Sequence, residues 1–169
     1  MRHFCVKYAG DGKMVHDSDI DSYDRAILAA LQRDGSLTNA GLSEMVHLSP
    51  SQCSRRRAAL EKAGLIRGYG ARLDARALGF GIRAFARVNL RSHGQAQDGD
   101  FARFIARQPE VRAAHSVSGD ADYVLELHVR DLDALAGFIH DRLLPHPQVA
   151  QIRSEIVLKT AKEDGGLPV

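Results

Sequence analysis

The 169-residue sequence predicts an α+β protein of two domains, a three-helix helix-turn-helix followed by a ferredoxin-like βαββαβ domain. Three observations lead there. Residues 19–66 carry apolar side chains at helical spacing in three short segments separated by turn residues. Residues 81–160 instead mix segments of period two with segments of helical period, in the order strand, helix, strand, strand, helix, strand. Charge is also uneven: net charge is only +2, yet Arg55 to Arg76 hold seven basic residues against two acids, a local field suited to a polyanion.

In the first helix Ile20, Tyr23, Ile27, Leu28 and Leu31 recur behind the N-cap candidates Asp19 and Asp21, and Gly35 stops it. A second helix begins after Thr38 and turns Leu42, Met45 and Val46 inward. The third starts at Ser49-Pro50-Ser51-Gln52, where Ser49 caps, Pro50 suits the first turn and Gln52 completes a capping box; it runs to Ala63, with Gly64 as the stop. At about 100° per residue, Cys53, Leu60 and Ala63 fall on one side with Arg56 and Arg57 at its margins. Ser51, Arg55, Ala58 and Lys62 form a slim row on the opposite side.

Such a helix fits a DNA major groove, with the second helix crossing near the backbone. Arg55 is the candidate for a base edge, because a guanidinium can bond guanine O6 and N7 together. Ser51, Gln52 and Ser54 can add base or phosphate contacts near the helix N-terminus, while Arg56, Arg57 and Lys62 are expected at phosphates. Asn39 and Ser49 complete the candidate DNA-contacting set. The plain alternative for the whole charge run is a solvated helix face.

In the second half, residues 83–90 read as a strand, 100–108 as a helix, 111–118 as a strand, 119–122 as a turn and 123–129 as the third strand. A helix over 131–144 turns Leu132, Leu135, Phe138, Ile139 and Leu143 inward, and 149–159 forms the last strand. This order places both helices on one face of an antiparallel sheet and leaves the other bare. Pairing Ser118 with Tyr123 puts Ala114, Ser116, Leu125 and Leu127 under the helices. The bare face then holds His115, Val117, Val124, Glu126 and His128, with Gln151, Arg153, Glu155 and Val157 from the last strand. Antiparallel sheets often leave such a face to solvent.

Composition limits the remaining options: 44% hydrophobic and 26% charged residues are ordinary for a chain that buries a core. No apolar run approaches the roughly 18 to 20 residues that span a bilayer, and the first residues lack the apolar stretch of a secretory signal, so a cytoplasmic protein is expected. Cys5 and Cys53 lie far apart, and the eight histidines show no metal-ligand spacing, so neither a disulfide framework nor a metal site is expected. No nucleophile elbow or phosphate-cradling loop is present, which argues against an enzyme, although a ferredoxin-like enzyme or carrier with helices used for assembly stays open. Residues 1–18 are expected to be a flexible extension, despite the alternation of Phe4, Val6 and Tyr8.

The stretch from DIDSYDRAIL to ARALGF, with an LSPS-x-x-x-RR helix followed by GLIRGY, ARLD and ALGF, resembles the N-terminal domain of the Lrp/AsnC family of bacterial and archaeal transcriptional regulators. SVSGDADYVLELHV resembles that family's effector-domain hairpin, so the likeness extends from about Ser18 to Lys162. It implies a winged helix-turn-helix over 19–66, a hairpin-forming linker over 67–80, a ferredoxin-like effector-binding and oligomerisation domain over 81–160, and a tail over 161–169. It further implies a sequence-specific regulator of double-stranded DNA, a homodimer formed by the bare sheet face through His115, Val117, Val124, Glu126, His128 and Arg153, and octamers of four dimers.

No cofactor is implied beyond an amino-acid or related effector, placed by the likeness at Gly119, Asp120, Ala121, Asp122 and Tyr123. Physically, such a turn offers N–H groups to a carboxylate and carboxylates to an ammonium, with Asp122 expected to reach the ligand while Asp120 satisfies the turn. A tight hairpin turn is the alternative reading of Gly119-Asp120. Three departures from the family pattern stand out: Gly41 replaces a usual glutamate, weakening the second helix's start, Arg57 replaces a usual aliphatic residue, and residues 1–18 match nothing in it. A ligand-independent DNA-architectural protein is the alternative within DNA binding.

Overall fold

The computed structural model describes residues 20–91, 95–163 and 165–169; the expectation for residues 1–18 lies outside them. The chain divides into two compact units, one ending at Arg72 and also containing residues 162–169, the other running from Leu73 to Ala161.

The first unit holds α1 (Ser22–Arg33), α2 (Asn39–Val46) and α3 (Pro50–Lys62). Each begins where a side chain accepts an otherwise orphaned helix N–H: Asp21 accepts from Asp24, Thr38 from Gly41 and Ser49 from Gln52. Gly41 therefore does not leave its helix uncapped. Ile27, Ala30 and Leu31 of α1, Leu42 and Val46 of α2, and Cys53 and Leu60 of α3 form one core, with Leu65 and Ile66 packed against it. His47 closes α2 in the left-handed region at φ 55°, and the chain re-enters a helix three residues later, at Pro50. Gly64, at φ 74°, ends α3 by letting Leu65 and Ile66 donate back to the Leu60 carbonyl.

Three residues expected inward lie outside: Tyr23 and Met45 are about half exposed, and Ala63 is exposed. The inward stripe of an eight-residue helix held between two others is narrow, and Leu42 and Val46 already fill it. The linker also departs from expectation, since residues 67–80 contain no strand. Asp74 instead caps a turn by accepting from Ala77 N–H at 3.1 Å, and Phe80 N–H closes onto the Ala75 carbonyl.

The second unit is an antiparallel sheet in the order β2-β3-β1-β4, from β1 (Ile82–Leu90), β2 (Val111–Ser116), β3 (Tyr123–Val129) and β4 (Val149–Ile156). α4 (Gln95–Ala106) and α5 (Leu132–Gly137) provide the helices. Ala84, Ala86, Val88 and Leu90 of β1 alternate into a core with Leu125, Leu127 and Val129 of β3, Phe101 and Ile105 of α4, and Leu135 of α5. The ferredoxin-like plan of the sequence is present, with changes in detail.

Ser116, not Ser118, faces Tyr123, so the hairpin register differs by two residues from the expected one. A two-residue slip preserves the period-two alternation, so His115 still shares a face with Val124, Glu126 and His128. A shift in register around Arg112 brings Val111 opposite Leu127 and against the core. Leu132, expected inward, is 57% exposed at the first position of α5. Past Gly137 the chain continues as a π-helical segment, Phe138–Leu143, marked by a bond from Leu144 N–H to the Ile139 carbonyl. That wider winding turns Phe138 and Leu143, five residues apart, into the same core.

His146 packs its ring 4.6 Å from Phe104 and 5.4 Å from Phe101, centroid to centroid. Burial lowers its pKa from the ordinary 6.5, against the opposing pull of Asp100. The unfolded chain then takes up the proton more readily than the folded one, so this contribution to stability is complete above 6.5 and declines as pH falls through that value to the depressed folded pKa. Urea unfolding at pH 7.5 and 5.5 should show that decline in the parent and a smaller one in His146→Phe.

Candidate functional site

The arginine triplet of α3 divides by direction. Arg55 is exposed, with neither a hydrogen bond nor an ion pair to any described residue, and lies in a row with exposed Ser51, Ala58 and Lys62. Ser54 is exposed beside it. Arg56 turns the other way, with Nη1 2.8 Å from both Asp21 and Asp24, the two carboxylates of the α1 capping box, and its guanidinium 5.5 Å from the Tyr23 ring centre. The Asp24 N–H and then Arg56 hold the Asp21 carboxyl below its ordinary range, while Asp24 and then Asp21 raise the Arg56 pKa.

Arg57 closes a second intradomain contact. Its Nε donates to Tyr69 Oη at 2.8 Å, its Nη1 to the Leu37 carbonyl at 3.0 Å, and its guanidinium lies 4.5 Å over the Tyr69 ring. Tyr69 Oη in turn donates to Glu61 Oε1 at 2.8 Å. Burial, then this bond to a carboxylate, raises the tyrosine's pKa. Arg57 thus fastens the segment after α3 to the helix and to the α1–α2 loop.

Four residues expected at DNA, Arg56, Arg57, Ser49 and Gln52, have partners within the unit. Arg56 and Arg57 flank the buried stripe of Cys53 and Leu60, and their length lets them lie along neighbouring elements instead of outward. Ser49 and Gln52 exchange the two bonds of a capping box at 3.2 and 3.0 Å. Asn39 heads α2 half-buried, with Oδ1 out of solvent and unpartnered among the described residues. The outward set is Ser51, Ser54, Arg55 and Lys62, joined by exposed Arg67, which lay within the basic stretch but not in the expected set.

On the bare face of the sheet the central strand contributes residues the sequence reading omitted: Arg83, Phe85, Arg87 and Asn89, opposite the inward alternation of β1. Glu126 receives Arg83 at 2.9 Å and His128 at 3.1 Å, and Arg87 pairs with Glu155 at 3.0 Å. Arg153 stands opposite Arg87 in the β1–β4 register and has no acid partner among the described residues. His115 is exposed on the neighbouring strand. Val117 lies in the loop beyond β2 and does not belong to the sheet face.

In the β2–β3 loop Asp122, not Asp120, is the acid whose carboxylate satisfies backbone groups. Asp122 Oδ2 accepts from Leu90 N–H at 2.7 Å, Asp122 N–H donates to the Val88 carbonyl at 3.0 Å, and the Asp122 carbonyl accepts from Val117 N–H at 3.1 Å. Asp122 therefore locks the loop to β1. Asp120 is exposed; its carbonyl accepts from Asn89 Nδ2, while its carboxylate has no partner among the described residues. Ala121 is buried, and the Tyr123 ring packs 5.1 Å from Phe101. Beside the loop, Arg87, Asn89, Asp120, Ala121, Gln151 and Arg153 line a cavity of about 40 Å³, room for a few water-sized groups and too little for a whole amino acid.

The division within the triplet predicts unlike effects of neighbouring substitutions on folding. Arg57→Ala should destabilise the first unit by about 1–2 kcal/mol, since a half-buried charged donor loses several partners, whereas Arg55→Ala should stay within about 0.5 kcal/mol of the parent in urea unfolding.

Residues 20–67 match the model for winged helix-turn-helix DNA-binding domains, and residues 83–167 match that for the Lrp/AsnC ligand binding domain. The chain is 37% identical over 150 residues to a leucine-responsive regulatory protein of Rhizobium meliloti, covering 89% of this chain and 96% of that one. It is 33% identical over 159 residues to the leucine-responsive regulatory protein of Escherichia coli K12, covering 94% and 97% respectively. Among solved structures, a transcriptional regulator from Neisseria meningitidis in complex with L-Met superposes with a TM-score of 0.85 at 40% identity, covering 88% of this chain and 96% of that one.

Proposed function

Because the chain belongs to the Lrp/AsnC family of transcriptional regulators, we propose that it binds specific DNA sequences through α3 and that an amino acid or closely related molecule, bound by its second unit, alters that binding or the protein's assembly. The observation that carries the DNA reading is the single outward arginine. With Arg56 and Arg57 held inside the unit, Arg55 is left on a row kept slim by Ser51 and Ala58, so the α3 backbone can approach base edges closely. Lys62 and Arg67 extend the positive charge toward the flanking phosphates.

The effector reading rests on the β2–β3 loop. The Asp120 carboxylate is available for a ligand ammonium, and Arg87, Asn89 and Arg153 line the adjoining cavity with donors for a carboxylate. A cavity this small needs walls from another subunit to enclose an amino acid. The Neisseria meningitidis regulator, whose complex contains L-Met, supports that ligand class.

The second subunit is the natural cover for the open sheet face. Arg153 beside Arg87 leaves a local surplus of positive charge, which the glutamates of a two-fold copy would offset. A dimer also presents two α3 helices to half-sites about one helical turn apart. Assembly of four dimers into an octamer and a cytoplasmic location rest on the family resemblance; among the described residues no helix is long and apolar enough to cross a membrane. A regulator of this kind needs no catalytic residue, and none is assigned.

On a duplex selected from genomic fragments, Arg55→Ala should cost about 1–3 kcal/mol of binding and relax preference at one base pair in each half-site. An equal loss on every sequence would move Arg55 to a phosphate. Thermal shifts against the twenty amino acids test the loop: a ligand that stabilises the parent should leave Asp120→Asn unmoved, because the variant keeps the fold and loses the charge facing the ammonium. Asp122→Ala should melt lower with or without ligand, having lost the bond to Leu90. If no amino acid stabilises the parent, the effector reading falls and a ligand-independent architectural role replaces it.

A further inference from the structure

A groove of about 410 Å³ opens in the first unit between α1 and the segment that follows α3. Leu31 is buried in its lining, Leu28, Leu65 and Ile66 are half-buried, and the Tyr69 side chain is 44% exposed. A Cβ built on Gly68 or Gly70 would meet nothing within 4 Å, so glycine keeps this side of the groove clear. A recess of this size lies within the range of small-molecule sites, and its apolar lining can take a carbon chain out of water. It is separate from the outward row of α3, since none of Ser51, Arg55 and Lys62 lines it.

The charge on its rim has one sign. Arg33, Arg67 and Arg72 border the groove, and among the described residues no carboxylate does. Gln32 also lines it, but its amide exchanges two bonds with the Leu167 backbone at 3.1 and 2.6 Å. An apolar recess rimmed by guanidinium groups fits a molecule with a carbon chain and a single anionic head. A free amino acid fits it badly, because no acid there receives the ammonium. In this the groove differs from the β2–β3 loop, where Asp120 stands beside the cavity.

We propose that this groove binds an amine-free monocarboxylate with an apolar chain, and that the bound anion draws Arg67 away from DNA phosphate. The chain lies against Leu28, Leu65, Ile66 and Tyr69, and the head meets Arg33, Arg67 and Arg72. Tyr69 links the site to α3: its hydroxyl accepts from Arg57 Nε and donates to Glu61 Oε1, each at 2.8 Å. A ligand packed on that ring therefore rests on a side chain that α3 itself holds. The sign of the effect follows from charge, because a carboxylate at Arg67 cancels a positive group that a phosphate contact needs. The effect on DNA rests on the DNA-binding reading of the first unit; the binding of the carboxylate does not.

Octanoate is the probe, with hexanoate, octan-1-ol and octylamine as comparisons, all on the full-length protein. Calorimetry without DNA should show about one octanoate per chain, bound about tenfold more tightly than hexanoate for its two further methylenes. Octan-1-ol and octylamine should bind at least about tenfold more weakly than octanoate. Arg33→Glu reverses a charge at the head, and Gly70→Phe fills open space where the backbone is not left-handed. Each variant should unfold in urea as the parent does and bind octanoate about tenfold more weakly. Bound octanoate should slow hydrogen exchange of residues 65–70 and leave residues 117–122 unchanged. On DNA, saturating octanoate should weaken binding about threefold and lower the salt slope by about one. No octanoate binding, or parental affinity in both variants, overturns the site. Octylamine bound as tightly as octanoate overturns the anionic head, and slowed exchange at 117–122 in place of 65–70 moves the carboxylate to the loop. Octanoate bound with DNA affinity unchanged overturns the competition at Arg67. Octanoate bound by a parent that binds no DNA upholds the site and removes the regulator reading instead.

Discussion

The ion pairs from Arg56 to Asp21 and Asp24 determine what the first unit can present. Two guanidinium groups that point outward in a bare reading of charge are spent on packing: Arg56 joins the start of α1 to the middle of α3, and Arg57 joins α3 to Leu37 and Tyr69. The core beneath them is small, with seven buried residues from three short helices. A core of that size fixes helix angles poorly by packing alone, and half-buried charged bonds add the direction that apolar contact lacks. The outward row is slim because the arginines beside it are turned inward.

The second unit solves a comparable problem with a sheet. Alternation in β1 separates a helix-facing side of small and branched residues from a face of Arg83, Phe85, Arg87 and Asn89. On that face Glu126 and Glu155 neutralise Arg83 and Arg87 locally, leaving Arg153 without an acid partner among the described residues. The β2–β3 loop is anchored at the same strand: Asp122 accepts from Leu90, and Asn89 donates to Asp120. Through β1, the loop that would feel a ligand and the face that would meet a partner share one piece of backbone.

Much of this was legible in the sequence. Capping residues, the helical stripe of α1 and the order of strands and helices are local, and Ser49-Pro50-Ser51-Gln52 announced the start of α3 without ambiguity. What was not legible depends on distant partners. Periodicity placed Arg56 and Arg57 at the margin of the buried side but could not say that Asp21, Asp24 and Tyr69 would draw them in. That Asp122 would be the acid bonded to backbone was not legible because its donor, Leu90 N–H, comes from a strand 32 residues away. The linker was expected to pair as a hairpin, yet Tyr69 is held by Arg57 and Asp74 caps a turn. Val117 left the sheet and Ala114 and Ser116 are exposed on the edge strand, but the alternation of β3 came out as expected from a register that was off by two, because only odd slips exchange faces.

That last property separates two kinds of evolutionary change. A loop between β2 and β3 can gain or lose residues in pairs, reshaping the neighbourhood of Asp120, while every side chain on the strands keeps its side of the sheet. Side-chain chemistry at the hairpin tip can then change without disturbing the exposed face of the sheet. A residue inserted within a strand has no such freedom unless an irregularity absorbs it, of the kind the pairing shows around Arg112 at the other end of β2. Length variation at the tip is thus a route by which the loop can change while both faces of the sheet are kept.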